Sequence, residues 1–446
     1  MDSLSLLATA VLTKEWVVDQ QVFKPLLNQR AISQEFLLLT QEPMTRVTPV
    51  HQLEVQSISD PFTIDQNQLQ NDVDALETRV SDLEAQQFSP TAALTGEVVW
   101  GISGVSGSDL EDSVVFQGSV ELILTISFTG EDTLEVGVES GNAIEFSFVD
   151  ELTFEGRLDF PSGTDNGLFE LSELSYEFPI GDRASLYIST SGDDLSDFNP
   201  SLGDDAISEF GAENPIHSLV EDVGLQLNYE LIDELSISLG YFSGDAGNPE
   251  PGAGLFNGNQ SAFVQLEFEP SDREASPQEN HFLLGLTYIH TYNDSSLETE
   301  TGSFRSQINL ERPVVGNSYG VSASFAPNPR TVIGGWAGFT NATVIDLGDA
   351  SVWNYALTLA FPDLGQEGNL LGIVIGQEPR LTGTSGFRID DRRSDPDTSL
   401  HIEIFYRDRL SDYISVTPGL VWITAPNHDN SNPDILVFTV RTIFEF

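Results

Sequence analysis

Acidic side chains crowd the stretch from Ser191 to Val223, SGDDLSDFNPSLGDDAISEFGAENPIHSLVEDV, which carries Asp193, Asp194, Asp197, Asp204, Asp205, Glu209, Glu213, Glu221 and Asp222. Carboxylates at this density can do three kinds of chemistry. Two acids flanking a glycosidic bond hydrolyse it, several loop oxygens hold calcium, and a ring of acids around a narrow aqueous path favours cations over anions. Nothing singles out an acid pair, and the chain has no G-x-S-x-G elbow, H-E-x-x-H, Walker loop or G-x-G-x-x-G opening a helix. DDRRSDPDTS (Asp390 to Ser399) and NHDNSNPD (Asn427 to Asp434) are rich in oxygen but lack the ligand order of a known calcium loop. His51, His217, His281, His290, His401 and His428 are scattered, so no catalytic residue, metal site or cofactor is expected. The third chemistry remains, and it needs a fold that arranges acids around water.

From Thr91 onward apolar residues recur with period two. In VGLQLNYEL, Val223, Leu225, Leu227, Tyr229 and Leu231 share one face of a strand, while Gln226, Asn228 and Glu230 share the other. AFVQLEFEP sets Val264, Leu266 and Phe268 against Gln265 and Glu267. Phe282, Leu284, Leu286 and Tyr288 form an apolar face in HFLLGLTYIHTY, as do Trp353, Tyr355, Leu357, Leu359 and Phe361 in WNYALTLAF. Aromatic residues mark the ends of such faces at Phe282 and Tyr292, Trp353 and Phe361, Trp422, Phe438 and Phe446, as interfacial girdles of a membrane barrel require. Short connections (232–234, 327–330, 409–412) alternate with long ones (191–219, 244–259, 293–314, 378–397). About 16 to 18 such strands fit, and an even count favours about 16 for a large bacterial barrel. The expected fold is all-β: a 16-stranded antiparallel transmembrane β-barrel of outer-membrane type, with 18 strands as the alternative. Its polar face carries acids and so implies a wet interior. The 191–223 stretch, if folded inward, is the expected constriction, with Asp193, Asp194, Asp197, Asp204, Asp205, Glu209, Phe210, Glu213 and Asn214 at it. Gln226, Asn228, Glu230, Gln265 and Glu267 are expected to face the lumen, with Arg183, Arg407 and Arg441 among them producing a transverse field.

Composition agrees. Acidic residues outnumber basic ones 70 to 18, the formal net charge is −52, and both lysines, Lys14 and Lys24, lie near the start. Nucleic acid is excluded as a partner, because phosphate binding requires a basic footprint. Cysteine is absent, which removes disulfides and thiolate chemistry. No run approaches the length of a membrane helix, whereas barrel strands keep mean hydropathy near neutral.

The first residues, MDSLSLLATAVLTKEW, have an apolar core but an acid, Asp2, where a signal peptide carries positive charge, so 1–60 is a poorly defined segment with a true start expected upstream. In LQNDVDALETRVSDLEAQQF, Leu69, Val73, Leu76, Val80 and Leu83 occupy heptad positions, predicting a short coiled coil over 61–88. The barrel is assigned to 89–446.

These stretches resemble the cyanobacterial branch of the carbohydrate-selective porin B family, also described as iron-uptake or surface-layer-homology porins. The resemblance rests on the heptads running into FSPTAALTGEVVW, on ISEFGAENPI followed by VGLQLNYEL, on LSISLGYFSGDAGNPEPGAGLFNGNQSAFVQLEFEPSD with its GLFNG, on LLGLTYIHTYN, and on the terminal Phe446. It covers roughly 62–446. It implies an outer-membrane porin, trimeric, passing ions, iron species or small sugars by diffusion, with outer-membrane lipid as its surroundings. Two departures qualify this. RVTPVHQLEVQ (Arg46 to Gln56) resembles only a strip of the wall-binding domain, so peptidoglycan attachment is not expected. Where the family's loop carries arginines, Glu209 and Glu213 flank Phe210-Gly211, which favours a cation-preferring channel. The alternative is a surface-attached β-rich adhesin or a carbohydrate- or cation-binding protein without a pore.

The C-terminal stretch DILVFTVRTIFEF places Leu436, Phe438, Val440, Thr442, Phe444 and Phe446 outward, and Thr439, Arg441 and Glu445 toward water, with Val437 and Ile443 breaking the pattern. Closure against a first strand near Leu94 to Ile102 is expected. Phe444 and Phe446 resemble the signal read by the outer-membrane assembly machinery.

Overall fold

The computed structural model describes residues 91–107, 114–143, 153–159, 168–191, 202–270 and 281–446. The expected segment 1–60 and the coiled-coil positions Leu69, Val73, Leu76, Val80 and Leu83 lie outside these residues. Sixteen strands follow in order: β1 (Thr91–Ser106), β2 (Val114–Ser127), β3 (Thr133–Gly141), β4 (Glu170–Pro179), β5 (Ala184–Ser191), β6 (Gly224–Ile232), β7 (Leu235–Phe242), β8 (Gln260–Phe268), β9 (His281–Asn293), β10 (Val314–Asn328), β11 (Thr331–Val344), β12 (Gly348–Pro362), β13 (Leu370–Thr384), β14 (Leu400–Ser411), β15 (Ile414–Thr424) and β16 (Ile435–Glu445). Each pairs with its sequence neighbours and β1 pairs with β16, so the sheet closes as a barrel of sixteen strands rather than eighteen. Closure satisfies every strand edge, which a membrane-spanning sheet needs because lipid offers no hydrogen bonds.

The seam shows how the ends meet. Glu97 pairs with Glu445 and Ser106 with Leu436. Beyond the last ladder pair, Phe446 and Gly96 exchange two backbone hydrogen bonds of 2.9 Å each. Bare glycines lie under aromatic rings here: a Cβ on Gly96 would meet the Phe446 ring at 2.5 Å, and one on Gly104 the Phe438 ring at 2.4 Å. The rings shield backbone that glycine leaves open on the lipid side.

Period two sorts the faces. Leu225, Tyr229, Leu231, Val264, Phe268, Leu286, Trp353, Tyr355, Leu357, Trp422 and Phe438 are exposed on the outer face, where lipid covers them. Tyr288, Tyr319, Phe339 and Trp353, register neighbours on β9 to β12, form a continuous row of ring contacts with centroids 5.2, 6.4 and 4.7 Å apart. The inner face is not uniformly polar. Tyr187, Phe242, Phe263, Trp336, Phe405, Val421 and Val437 point inward and are buried. Val437, which breaks the alternation in the sequence, is therefore a packing residue, and Ile443 lines the cavity at the turn end of the barrel.

Two boundaries differ from expectation. The loop expected from residue 378 begins at Ser385, because β13 continues through Glu378 and Pro379 to Thr384 across two register irregularities against β12. Polar residues and a proline there read as loop, but they occupy a bulged strand. The turn expected at 409–412 is shifted, with β14 running to Ser411.

Candidate channel and its inward segments

Apolar residues punctuate the acidic stretch between β5 and β6, among them Leu202, Ile207, Phe210, Ile216 and Leu219. Burying each is worth roughly 1.5–3 kcal/mol, and a loop standing in solvent buries none. The loop instead turns into the barrel and packs all five against the inner wall. Its backbone makes a 3-10 turn at Gly203–Asp205, a single helical turn α1 (Glu209–Ala212) and a second 3-10 turn at His217–Leu219. Ser208 caps α1, its hydroxyl accepting from the Gly211 amide at 3.0 Å. The wall makes room by omitting side chains: a Cβ on Gly419 would lie 2.4 Å from Ile207, on Gly376 2.8 Å from Phe210, and on Gly320 2.5 Å from Ile216. Phe210 also meets Trp336 edge-on at 5.8 Å and lies 4.9 Å from the His401 ring.

Most acids of this loop are engaged. Asp205 is ion-paired to Arg407. Burial first, and then the charges of Asp159 and Glu300, push the Glu209 carboxyl up. Glu213 lies 3.3 Å from Nδ1 of His217. Asn214 accepts from Asn354 of β12 at 2.9 Å. Burial, with Asp222 and Asp245 nearby, raises Glu221 to about 7. Asp193, Asp194 and Asp197 lie outside the described residues, as does the side chain of Asp204.

A second inward segment, Thr153–Asp159 of the β3–β4 connection, was not legible in the sequence. It runs alongside the inner loop as a strap: Leu158 bridges Ser208, the Asp159 amide donates to Ile207 O at 3.0 Å, and the Glu209 amide donates to Arg157 O at 3.2 Å. The Gly156 amide donates to Glu378 at 3.0 Å, and the Phe154 amide donates to Gly302 O at 3.1 Å. Both inward segments are fastened to one buried cluster of acids and histidines. His401 sits between Glu378 at 2.7 Å and Glu403 at 3.5 Å, and Glu403 accepts from the Ile207 amide at 2.9 Å and from the Ser208 hydroxyl. Glu155 of the strap accepts from the Asn427 amide, and burial pushes its carboxyl up to about 7. Its Oε1 is buried without a hydrogen-bond partner, 3.8 Å from Nε2 of His428. That histidine is held neutral, its value lowered to about 4 by burial, while its Nδ1 accepts from the Ser399 amide at 2.7 Å.

The strap and the first half of the inner loop lie against β10 to β16, the second half of the loop also packs with Tyr187, Phe242 and Phe263 of β5, β7 and β8, and the wall from β16 through β4 carries charge. Glu445, Glu97, Glu121, Glu139 and Glu170 are successive register partners across β16, β1, β2, β3 and β4, a belt of five glutamates on one face. Strands β1 to β5 hold no lysine or arginine. Like charges facing each other across strands are destabilising, so this belt is not explained by the stability of the sheet. A cavity of about 680 Å³ at the turn end is lined by Glu97, Glu121, Glu445, Asp159 and Arg441 among others. Arg441 faces this space and donates to backbone oxygens of Asp159 at 2.9 Å and Ala206 at 3.0 Å, and Arg407 lines the adjoining cavity. Arg183 sits in the turn between β4 and β5, 4.0 Å from Asp233, and lines the cavity that Gln226 and Asn228 line. Gln226, Asn228, Glu230, Gln265 and Glu267 line a separate cavity of about 480 Å³. Among the described residues no group of acids and histidines is arranged to hold a metal.

A closed barrel of sixteen strands, obstructed from within by its own loop and acidic along one wall, is the architecture of a diffusion channel. The carbohydrate-selective porin OprB family matches residues 62–446. The chain belongs to this family. It is an outer-membrane porin, and the family and the fold are those of channels rather than enzymes. An uncharacterized protein of Nostoc is 33% identical over 431 residues, covering 88% of this porin and 72% of that protein, and one of Synechocystis is 28% identical over 430 residues, covering 88% and 76%. Among solved structures, OprB of Pseudomonas putida at high pH superposes with a TM-score of 0.55 at 12% identity, covering 80% of this porin and 94% of that chain. The anion-selective porin of Comamonas acidovorans gives a TM-score of 0.52 at 9% identity, covering 80% and 100%. At such identities the structures share the fold alone.

Proposed function

We propose that this porin admits small hydrophilic solutes by diffusion and prefers cations, inorganic ions and iron species among them. The observation that carries this reading is the in-register belt Glu445, Glu97, Glu121, Glu139 and Glu170, whose strands β1 to β4 hold no lysine or arginine and whose β16 contributes the single arginine Arg441. A carboxylate row beside a water-filled path concentrates cations and repels anions. The inner loop narrows the lumen by covering the opposite wall. Its acids supply less of the charge than their number suggests, since Asp205 is paired and burial raises the Glu209 carboxyl. Arg441 lines the cavity on the belt side and gives the path a transverse field, Arg407 beside it being paired to Asp205. Purified porin in planar bilayers tests the reading: stepwise conductance with a cation-selective zero-current potential is expected, and a chloride preference would reject it.

A second permeant class has its own support. The cavity lined by Gln226, Asn228, Ser238 and Gln265 offers amides and hydroxyls, the groups that hydrogen-bond neutral sugars. Sugar block of single-channel current tests it. A homotrimer is part of the same proposal; OmpT of Vibrio cholerae, which shares the fold at a TM-score of 0.51, is described in a trimer form. So is recognition of Phe444 and Phe446 by the outer-membrane assembly machinery.

A further inference from the structure

The strap Thr153–Asp159 brings one acid to the passage that belongs neither to the barrel wall nor to the inner loop. Asp159 lines the same cavity as Glu97, Glu121 and Glu445 of the belt. Its backbone is fixed from both sides: its amide donates to Ile207 O at 3.0 Å, and its carbonyl accepts from Arg441 Nη1 at 2.9 Å. The neighbouring Leu158 is bridged to Ser208, so the register of strap against loop decides which strap residue reaches the cavity. Arg441 donates to backbone oxygens of Asp159, Asp205 and Ala206. It thereby locks the strap in place on the side facing the belt.

We infer that Asp159 is a specificity-determining residue of this channel, completing on the loop side the ring of carboxylates that the belt begins on the wall. The inference rests on the proposed cation preference and adds to it a residue outside the expected constriction. The passage at this height is bounded by Glu97, Glu121 and Glu445 on the wall and by Asp159 on the strap, with Arg441 as the basic group at its edge. A hydrated cation moving through it meets carboxylate on both sides. The strap then does two jobs at once: it covers the inner loop, and it brings Asp159 to the passage.

The test is the zero-current potential of the full chain across a salt gradient, for wild type, Asp159→Asn, Asp159→Glu, the double variant Glu97→Gln/Glu121→Gln, and Glu311→Gln on an exposed external loop as control. Heat-modifiable gel migration reports folding of each. A unit charge about 8 Å from an ion in a water-filled path changes cation partitioning about twofold. Anion partitioning changes by the same factor in the opposite sense, so Asp159→Asn is expected to lower the cation-to-anion permeability ratio about fourfold, Asp159→Glu to retain it, and Glu311→Gln to leave it unchanged. If Asp159→Asn keeps the wild-type ratio while the Glu97/Glu121 variant loses it, the assignment of Asp159 is overturned and the wall reading stands. If wild type itself shows no cation preference, both fall. Should Asp159→Asn fail to fold, Asp159→Ser is measured under the same criterion.

Discussion

The side-chain amide of Asn354 on β12 donates to the side-chain oxygen of Asn214 at 2.9 Å, tying the inner loop to the barrel wall far from the loop's root on β5. Both residues are buried. The bond fixes how far the loop extends across the lumen, because Ile216, two residues on, then seats over Gly320. Channel width thus depends on an amide pair that touches no solute.

Asn354→Ala leaves the Asn214 amide without this partner in a buried site, a loss of about 1–3 kcal/mol to the docked loop. Single-channel recordings are expected to show larger and noisier openings than wild type. Unchanged conductance and noise would mean that the apolar contacts alone position the loop.

Gly419 admits Ile207 by having no side chain. Gly419→Val places methyl groups where Ile207 sits, and overpacking of this kind costs about 1–3 kcal/mol. The barrel ladder is expected to survive, seen as retained heat-modifiable migration, while limited proteolysis cuts near Ile207 that wild type resists. Combining it with Ile207→Ala should restore resistance.

Glu155 makes the strap sensitive to pH. Burial raises its carboxyl from the ordinary 4.5 to about 7, so the folded state holds the proton more tightly than the unfolded chain. Its contribution is most favourable below pH 4.5, declines between 4.5 and about 7, and stays at its lowest above that. Denaturant midpoints at pH 5 and pH 8 should therefore fall further for wild type than for Glu155→Gln, which cannot ionise. The difference is bounded at about 3 kcal/mol. Equal falls in both proteins would remove Glu155 from the account.

Deleting Phe446 removes two backbone hydrogen bonds to Gly96 and the ring above it. The temperature at which the folded gel band disappears is expected to drop, with ion selectivity of the surviving channels unchanged. If the residue is also an assembly signal, yield in the outer membrane falls more steeply than stability measured on refolded protein.

The barrel was legible because period two is a local property: Leu225, Leu227 and Tyr229 alternate with Gln226, Asn228 and Glu230 whatever the neighbouring strands do. Closure was legible through Phe438 and Phe446, which mark the lipid face of the last strand. What could not be read was the lumen. Phe405, Val421 and Val437 look like faults in the alternation until the inner loop covers them, and that cover is a contact between residues distant in sequence. The inward fold of the loop was expected from its acids, and the apolar residues Ile207, Phe210, Ile216 and Leu219 were the signal that it packs on the wall. Acid count is an incomplete guide, since a sequence does not say that burial will raise the Glu209 carboxyl or that Asp205 will meet Arg407. The strap had no signal of its own, because Thr153–Asp159 is held largely by backbone hydrogen bonds. The glutamate belt depends on register: Glu97, Glu121, Glu139 and Glu170 are far apart in the chain and adjacent only once the strands pair.

The central claim, that one acidic wall sets the selectivity of this porin, is tested most directly by the zero-current potential of single channels across a potassium chloride gradient, compared between wild type and Glu97→Gln/Glu121→Gln. The expected result is a wild-type potential of the sign set by potassium, moving toward zero in the double variant. A potential of the sign set by chloride, or one that the double variant leaves unchanged, would contradict it.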